Sequence, residues 1–124
     1  MSISVYEVSV ESDLRTLRSL DSIMQIAEHH ASESSLDRQE LTRYRLTDNM
    51  LPFSFRVISV WHHSLGMVLA MKAGLFEPPP RMTGMTVEKC KTLIPEAINE
   101  LERVSVDDIN DLTGKPMLFR LGGP

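Results

Sequence analysis

The chain has 124 residues, of which 42% are hydrophobic and 24% charged, with a formal net charge of −4. This balance predicts one soluble domain over residues 1–124, and the scattered basic residues exclude the basic stripe with neighbouring aromatic residues that is typical of nucleic-acid binders. A single cysteine excludes an intramolecular disulfide and favours the cytoplasm, and no stretch offers the roughly 20 apolar residues that a membrane span needs.

The first helix is predicted from about Val5 to about Ala31. Ser4 and Glu7 have the spacing of a capping box, in which each side chain accepts a free backbone N–H at the helix start. The serines within residues 9–12 leave a break there as an open alternative. Steps of three and four place the apolar residues on one face. These residues are Val10, Leu14, Leu17, Leu20, Met24, Ala27 and Ala31.

The segment between the first two long helices is rich in serine and predicts a loop. Ser35 is expected to cap a short helix that ends at about Tyr44. The second long helix is expected to begin near Asp48, which is a favourable cap, with Pro52 tolerated in its first turn.

The second helix is apolar over most of its circumference and should end at Ala73, before Gly74. One stripe holds Ile58, Trp61, Leu65 and Val68, and another beside it holds Val57, Val60, Met67 and Met71. A helix with two apolar stripes is buried between neighbours. We therefore expect a further helical surface, which a second copy of the chain, another partner or a missing segment would supply.

The third long helix follows an extended linker, "EPPPRMTGM", and is expected to begin at the cap Thr86 and to bend at Pro95. "MLFRL" near the end of the chain is strand-like, but no credible sheet is expected. The pattern predicts an all-α fold, an antiparallel bundle of three long helices and a short one with a short extended C-terminal tail. The inward residues of the third long helix are Val87, Cys90, Leu93, Ile94, Ala97, Ile98 and Leu101.

The double histidine in "ISVWHHSL" is split by helical geometry, because adjacent residues point about 100° apart. His62 lies on or beside the core stripe, whereas His63 shares a side with the small residues Ser59, Gly66 and Ala70, which suggests a close helix neighbour there. His62 is therefore a base or single metal ligand facing a pocket, or a buried histidine whose nitrogens are satisfied by a neighbour.

Few residues of the sequence are placed where they could bind a metal together. Glu28, His30 and His62 form a conceivable cross-helix set, with His30 at the core edge. Antiparallel pairing places His30 near the end of one helix and His62 near the middle of the next, and a catalytic zinc needs three protein ligands. We expect no metal and no cofactor, and Cys90 is expected to be an inert buried thiol.

Several stretches in order resemble an uncharacterised branch of the DinB/YfiT-like helix-bundle superfamily. They are "MSISVYEVSV", "RLTDNMLPFSFRVISV", "AGLFEPPP", "TLIPEAINELERV" and "GKPMLFRLGG". The resemblance implies an up-down-down-up bundle of four helices, with relatives that continue into a fourth core helix lacking here. Relatives elsewhere in the superfamily bind a divalent metal through three histidines, and some are thiol-dependent transferases or hydrolases. The branch that this chain resembles has no established activity and generally lacks those histidines.

The leading functional hypothesis is a small-molecule site between the first two helices, lined by Trp61, His62, His30, Leu65 and Met24. Whether the protein is an enzyme stays open; in a metal-independent enzyme, His62 would be the general acid or base. A second hypothesis is an interaction module that forms a homodimer, or binds another helical partner, through the apolar second helix. The last is a metal-dependent transferase or hydrolase of the superfamily's better-known kind.

Overall fold

The computed structural model describes residues 2–122 and is mostly helical, in agreement with the predicted all-α class. Its helices are α1 (Ser12–Glu33), α2 (Glu40–Arg43), α3 (Phe53–Trp61), α4 (Met67–Ala73), α5 (Val87–Glu102) and α6 (Val106–Asn110). Its strands are β1 (Leu75–Phe76) and β2 (Leu118–Phe119). Within residues 2–122, no helix combines the length and the apolar character that crossing a membrane would require.

The first long helix begins as its capping box predicts. The backbone N–H of Glu7 donates to the Ser4 hydroxyl oxygen (3.2 Å), and that of Ser4 donates to the Glu7 carboxylate (3.4 Å). Residues 9–12 do not interrupt the helix. A π-helical turn, Glu7–Glu11, runs directly into α1, and within it the Ser9 hydroxyl donates to the Val5 carbonyl at 2.6 Å. The serine thus bonds back onto its own helix instead of ending it.

The predicted helix cap at Ser35 is wrong. Ser35 has φ of 56° and lies in the turn that ends α1, where the N–H of Ser34 donates to His30 and that of Leu36 to Ala31. A left-handed residue after the last turn is a common way to satisfy the final carbonyls of a helix. The short helix begins only at Glu40 and is the single turn Glu40–Arg43.

The predicted start of the second helix at Asp48 is also wrong. The helix begins at Phe53, with Pro52 as an extended N-cap residue, and Asp48 lies in a turn of the preceding loop. Proline disfavours helical backbone at the residue before it. The N–H of Phe53 donates to the carbonyl of Tyr44 (2.9 Å), which ties the helix start to the loop.

The second long helix comprises α3, a π-helical turn (His62–Gly66) and α4, and it ends at Gly74 with φ of 79°, as predicted. Residues from both predicted stripes pack into or against one core, which they share with α1 and α5. His62, in the π-helical turn, contacts Phe76 and the backbone carbonyl of Glu77, which follow the end of this helix in the chain. The fully buried members of the core include Val10, Leu17, Val57, Val68, Cys90, Ile94, Leu101 and Ile109.

The expectation of no sheet is wrong at one place. β1 and β2 form a parallel pair, in which Leu75 is opposite Leu118 and Phe76 is opposite Phe119. The predicted strand character of "MLFRL" is thereby confirmed. The pair brings the end of the described chain back to the end of the second helix.

The third long helix is confirmed at its cap. The Thr86 hydroxyl oxygen accepts the N–H of Lys89 at 3.2 Å, and α5 then continues through Pro95. The predicted inward residues are buried, except that Leu93 and Ile98 are partly buried at its edge. Helix α6, which was not predicted, is capped by Ser105.

Candidate functional site

The π-helical turn His62–Gly66 brings the two histidines to different surroundings. His62 is buried (9% exposed), whereas His63 is exposed and its Nδ1–H donates to the Ser59 carbonyl at 2.8 Å. The predicted split of the pair is therefore confirmed. Gly66, however, lies beside His62 and not His63, because a helix with 3.6 residues per turn brings residues four apart closer to alignment than residues three apart.

The imidazole of His62 is held from three sides. Its Nε2 lies 2.7 Å from the Glu77 carbonyl oxygen. The ring stacks on Phe76, with centroids 4.8 Å apart, and the ring of Phe76 stacks in turn on Phe119 at 5.8 Å. A Cβ atom at Gly66 would lie 3.1 Å from Nδ1, so the ring also fills the space over this glycine.

These contacts define the tautomer of the neutral ring. A carbonyl oxygen only accepts, so Nε2 must carry the proton that it shares with Glu77. Nδ1 is then left with a free lone pair, as the acceptor of the ring. A histidine whose one nitrogen is fixed by a backbone carbonyl has the orientation that metal ligands and general bases need at the other nitrogen.

A shallow groove of about 320 Å³ lies over this ring. Its lining is mainly apolar and includes His62 and Gly66. A helix side, strand β1 and the start of the proline-rich linker meet here. The lining residues are His62, Gly66, Leu69, Ala70, Ala73, Leu75, Phe76, Glu77 and Pro78.

Of the five residues predicted to line a pocket, only His62 lines this groove. Met24 is buried in the core, and Trp61 and Leu65 are half-buried and pack against that core. The predicted position of His30 at the core edge is wrong, because its side chain is exposed in the last turn of α1. The reason is that Ala31, one residue further round the helix, takes the inward position.

Sequence reasoning missed Phe76, Glu77 and Pro78 as neighbours of His62. The sequence feature that could have indicated them is the motif "LFEPPP", which directly follows the glycine that ends the helix. Prolines there keep the backbone extended, so the Glu77 carbonyl takes part in no helical hydrogen bond.

The conceivable metal set is not assembled. Among residues 2–122, no group of three or more His, Cys, Asp or Glu side chains is arranged to hold a metal ion. Glu28 is instead bound by Arg38 and by Lys91, whose Nζ lies 2.9 Å from Oε2. The hydrogen bond from Arg38, with that from Lys91, lowers the pKa of the Glu28 carboxyl.

Two further titratable groups are perturbed by burial. Burial raises the pKa of the Asp13 carboxyl to about 6, and it raises the pKa of the Cys90 thiol. Cys90 is fully buried in the core, where the thiolate that would react is disfavoured.

Comparison with known proteins gives a family but no activity. Neither a search of curated proteins nor a search of solved structures returned a match. No finding links the chain to the DinB/YfiT-like superfamily. A family model described as a domain of unknown function matches residues 5–124, nearly the whole chain, and the protein therefore belongs to the DUF1993 family.

Proposed function

We propose that the protein binds a small, uncharged and largely apolar molecule in the groove over His62, through one hydrogen bond to Nδ1. The observation that carries this proposal is the bond between Nε2 and the Glu77 carbonyl, because it leaves Nδ1 as an oriented acceptor. Ligand sites typically combine apolar walls with a few placed polar groups.

The size and lining of the groove limit the ligand. A volume of about 320 Å³ is near the lower end of the range for ligand pockets, which suits a molecule of about one ring. The wall residues Leu69, Ala70, Ala73 and Leu75 offer apolar contact, and the only carboxylate of the lining, that of Glu77, lies 3.8 Å from Arg120. A neutral ligand with one donor group matches this lining best.

Binding ranks ahead of catalysis in this proposal. His62 would be the general base of any reaction here, since its Nδ1 is the oriented acceptor of the ring and histidine is the side chain that most often transfers protons in catalysis. The lining residues include no hydroxyl, thiol or amine side chain to act as a nucleophile beside it. A metal-dependent transferase or hydrolase of the DinB-like kind ranks last, because Glu28 is bound by two cations and His30 is exposed. A DinB/YfiT-like helix arrangement likewise stays a proposal based on sequence resemblance.

Phenol and anisole provide a matched test of this proposal, because they share a ring and differ in the hydroxyl donor. We expect phenol to shift the methyl NMR signals of Ala70 and Ala73 and to bind about tenfold more tightly than anisole. In His62→Phe, which keeps a stacked ring but loses the acceptor, this preference should disappear. His63→Gln, a change of the exposed neighbour, should retain it. Equal binding of the two probes to the wild-type protein, or shifts at other residues only, would rule the proposal out.

A second candidate is self-association through the face around the groove. Leu69 and Phe119 are 54% and 57% exposed there, although both are large and apolar. Contiguous exposed apolar surface is typical of interaction sites. Light scattering should then find a dimer at micromolar concentration that Leu69→Glu dissociates, whereas a monomeric wild-type protein would exclude this candidate.

A further inference from the structure

A second cavity, of about 490 Å³, differs from the groove over His62 because two arginines are among its lining residues. It opens where the segment after α2 meets the first residues of α3 and of α5. The cavity shares no lining residue with the groove over His62. Its lining residues are Gln39, Thr42, Arg43, Arg45, Pro52, Ser54, Gly84, Met85 and Thr86.

The charge of this cavity contrasts with that of the whole chain. Its lining has two guanidinium groups, those of Arg43 and Arg45, and no carboxylate, in a protein whose formal net charge is −4. Arg43 forms an exposed ion pair with Glu40, whose carboxylate oxygen lies 3.1 Å from its guanidinium. Exposed pairs of this kind contribute little free energy and are readily exchanged for another anion.

The side chain of Arg45 is held even more weakly than that of Arg43. Its Nη1 donates to the backbone carbonyl of Asp48 at 3.4 Å, and no ion pair of Arg45 occurs among the described residues. Most of its guanidinium donors therefore remain available. Arginine presents these donors in a planar fork that matches the oxygens of phosphate.

Two other lining residues of the cavity, Gln39 and Thr86, form hydrogen bonds to the start of α5. The Gln39 side chain accepts the N–H of Val87 (3.1 Å) and donates to the Glu88 carboxylate (3.0 Å). Thr86 accepts the N–H of Lys89, so its own hydroxyl proton is free to donate to a ligand. The positive end of the α5 dipole adds to the cationic field of the two arginines. Lining residues held by such bonds lower the entropic cost of binding.

We propose that this cavity binds the phosphate group of a small organic phosphate monoester. Two guanidiniums and a hydroxyl suit a dianion with three acceptor oxygens. The volume exceeds the needs of an inorganic ion, and the side chains of Pro52 and Met85 provide apolar contact for an organic part.

Isothermal titration calorimetry with phenyl phosphate tests this site in the intact chain. We expect Arg43→Gln and Arg45→Gln each to weaken binding by about tenfold or more. Arg103→Gln is the matched control, because Arg103 and Arg43 are both exposed and both form an i,i+3 pair with a glutamate. Circular dichroism of each variant verifies that the helices are retained.

The source of the phosphate is distinguished by a second arm with phosphatidylcholine vesicles that contain or lack phosphatidic acid. Phenyl phosphate binding that depends on both arginines supports a soluble monoester. Binding only to the vesicles with phosphatidic acid, lost in both arginine variants, assigns the phosphate to a lipid headgroup and overturns the small-molecule source. If neither probe binds, or if all variants bind as the wild type does, the cavity is not a phosphate site.

Discussion

The imidazole of His62 occupies the space that any side chain at residue 66 would need. A Cβ atom at Gly66 would lie 3.1 Å from Nδ1 and 3.6 Å from Cγ of that ring. The ring cannot move away freely, because Phe76 stacks on it and the Glu77 carbonyl binds its Nε2. Glycine at this helical position is therefore coupled to the histidine.

Gly66→Ala should consequently destabilise the wild-type protein and stabilise a protein that lacks the ring. In the wild-type protein we expect a net loss of about 1 kcal/mol, because displacing His62 costs more than the helix propensity of alanine returns. In a His62→Ala background the same change should add up to about 1 kcal/mol, the usual advantage of alanine over glycine in a helix. Urea unfolding of the four proteins measures this cycle. The same sign in both backgrounds would contradict the coupling.

The stacked and hydrogen-bonded ring of His62 should also contribute to stability in its own right. His62→Ala removes the stack on Phe76 and the bond to Glu77, and we expect a loss of about 2 kcal/mol in the free energy of unfolding. His62→Phe keeps the stack and should cost about 1 kcal/mol. The exposed residue His63 is the control, and His63→Ala should change the free energy by less than about 0.5 kcal/mol. Losses that are equal for His62→Ala and His63→Ala would show that the ring contacts contribute nothing.

Features set by neighbouring residues could be predicted from the sequence. The capping box of Ser4 and Glu7 and the cap at Thr86 depend on contacts three residues apart, and the structure contains both. The caps predicted at Ser35 and Asp48 failed, because the last turn of α1 and the proline at the start of α3 decide the backbone there.

The surroundings of His62 could be predicted only in part. A regular helical period correctly separated it from His63, and the same period, applied to the spacing of four residues, places Gly66 beside His62. The stack on Phe76 and Phe119 depends on two strands that are distant in sequence and only two residues long. Periodicity in so short a strand is too weak to indicate pairing.

The charge cluster around Glu28 should make the loop before α2 sensitive to substitution. Arg38 binds both Glu28 and Glu88, which connects this loop to α1 and α5, and Lys91 binds Glu28 as well. Glu28→Gln should lower the free energy of unfolding at pH 7 by about 1 kcal/mol. The loss is no larger because solvent screens the charges of a partly exposed pair. The matched control is Glu33→Gln, since Glu33 is exposed and pairs only with His29 among the described residues.

The pH dependence of this effect follows from the lowered pKa of Glu28. Its contribution to stability is complete above the unfolded-state pKa and is lost as the pH falls through the lower folded-state value. The difference between the wild-type protein and Glu28→Gln should therefore shrink on acidification. A difference that is constant from neutral to acidic pH would mean that the charge of Glu28 does not stabilise the fold.

Asp13 should have the opposite pH dependence. Burial raises its pKa from 3.8 to about 6. Between these two pH values the folded state binds a proton that the unfolded state has already released. Stability from this group is complete below the unfolded-state value and declines as the pH rises to about 6, above which the ionised carboxylate carries its full cost. Asp13→Asn removes the ionisation. We expect this variant to gain about 1 kcal/mol over the wild-type protein at pH 7, after allowance for solvent screening, and almost nothing near pH 4. Unfolding curves at the two pH values measure the difference, and an equal gain at both would show that the carboxylate is not destabilised by burial.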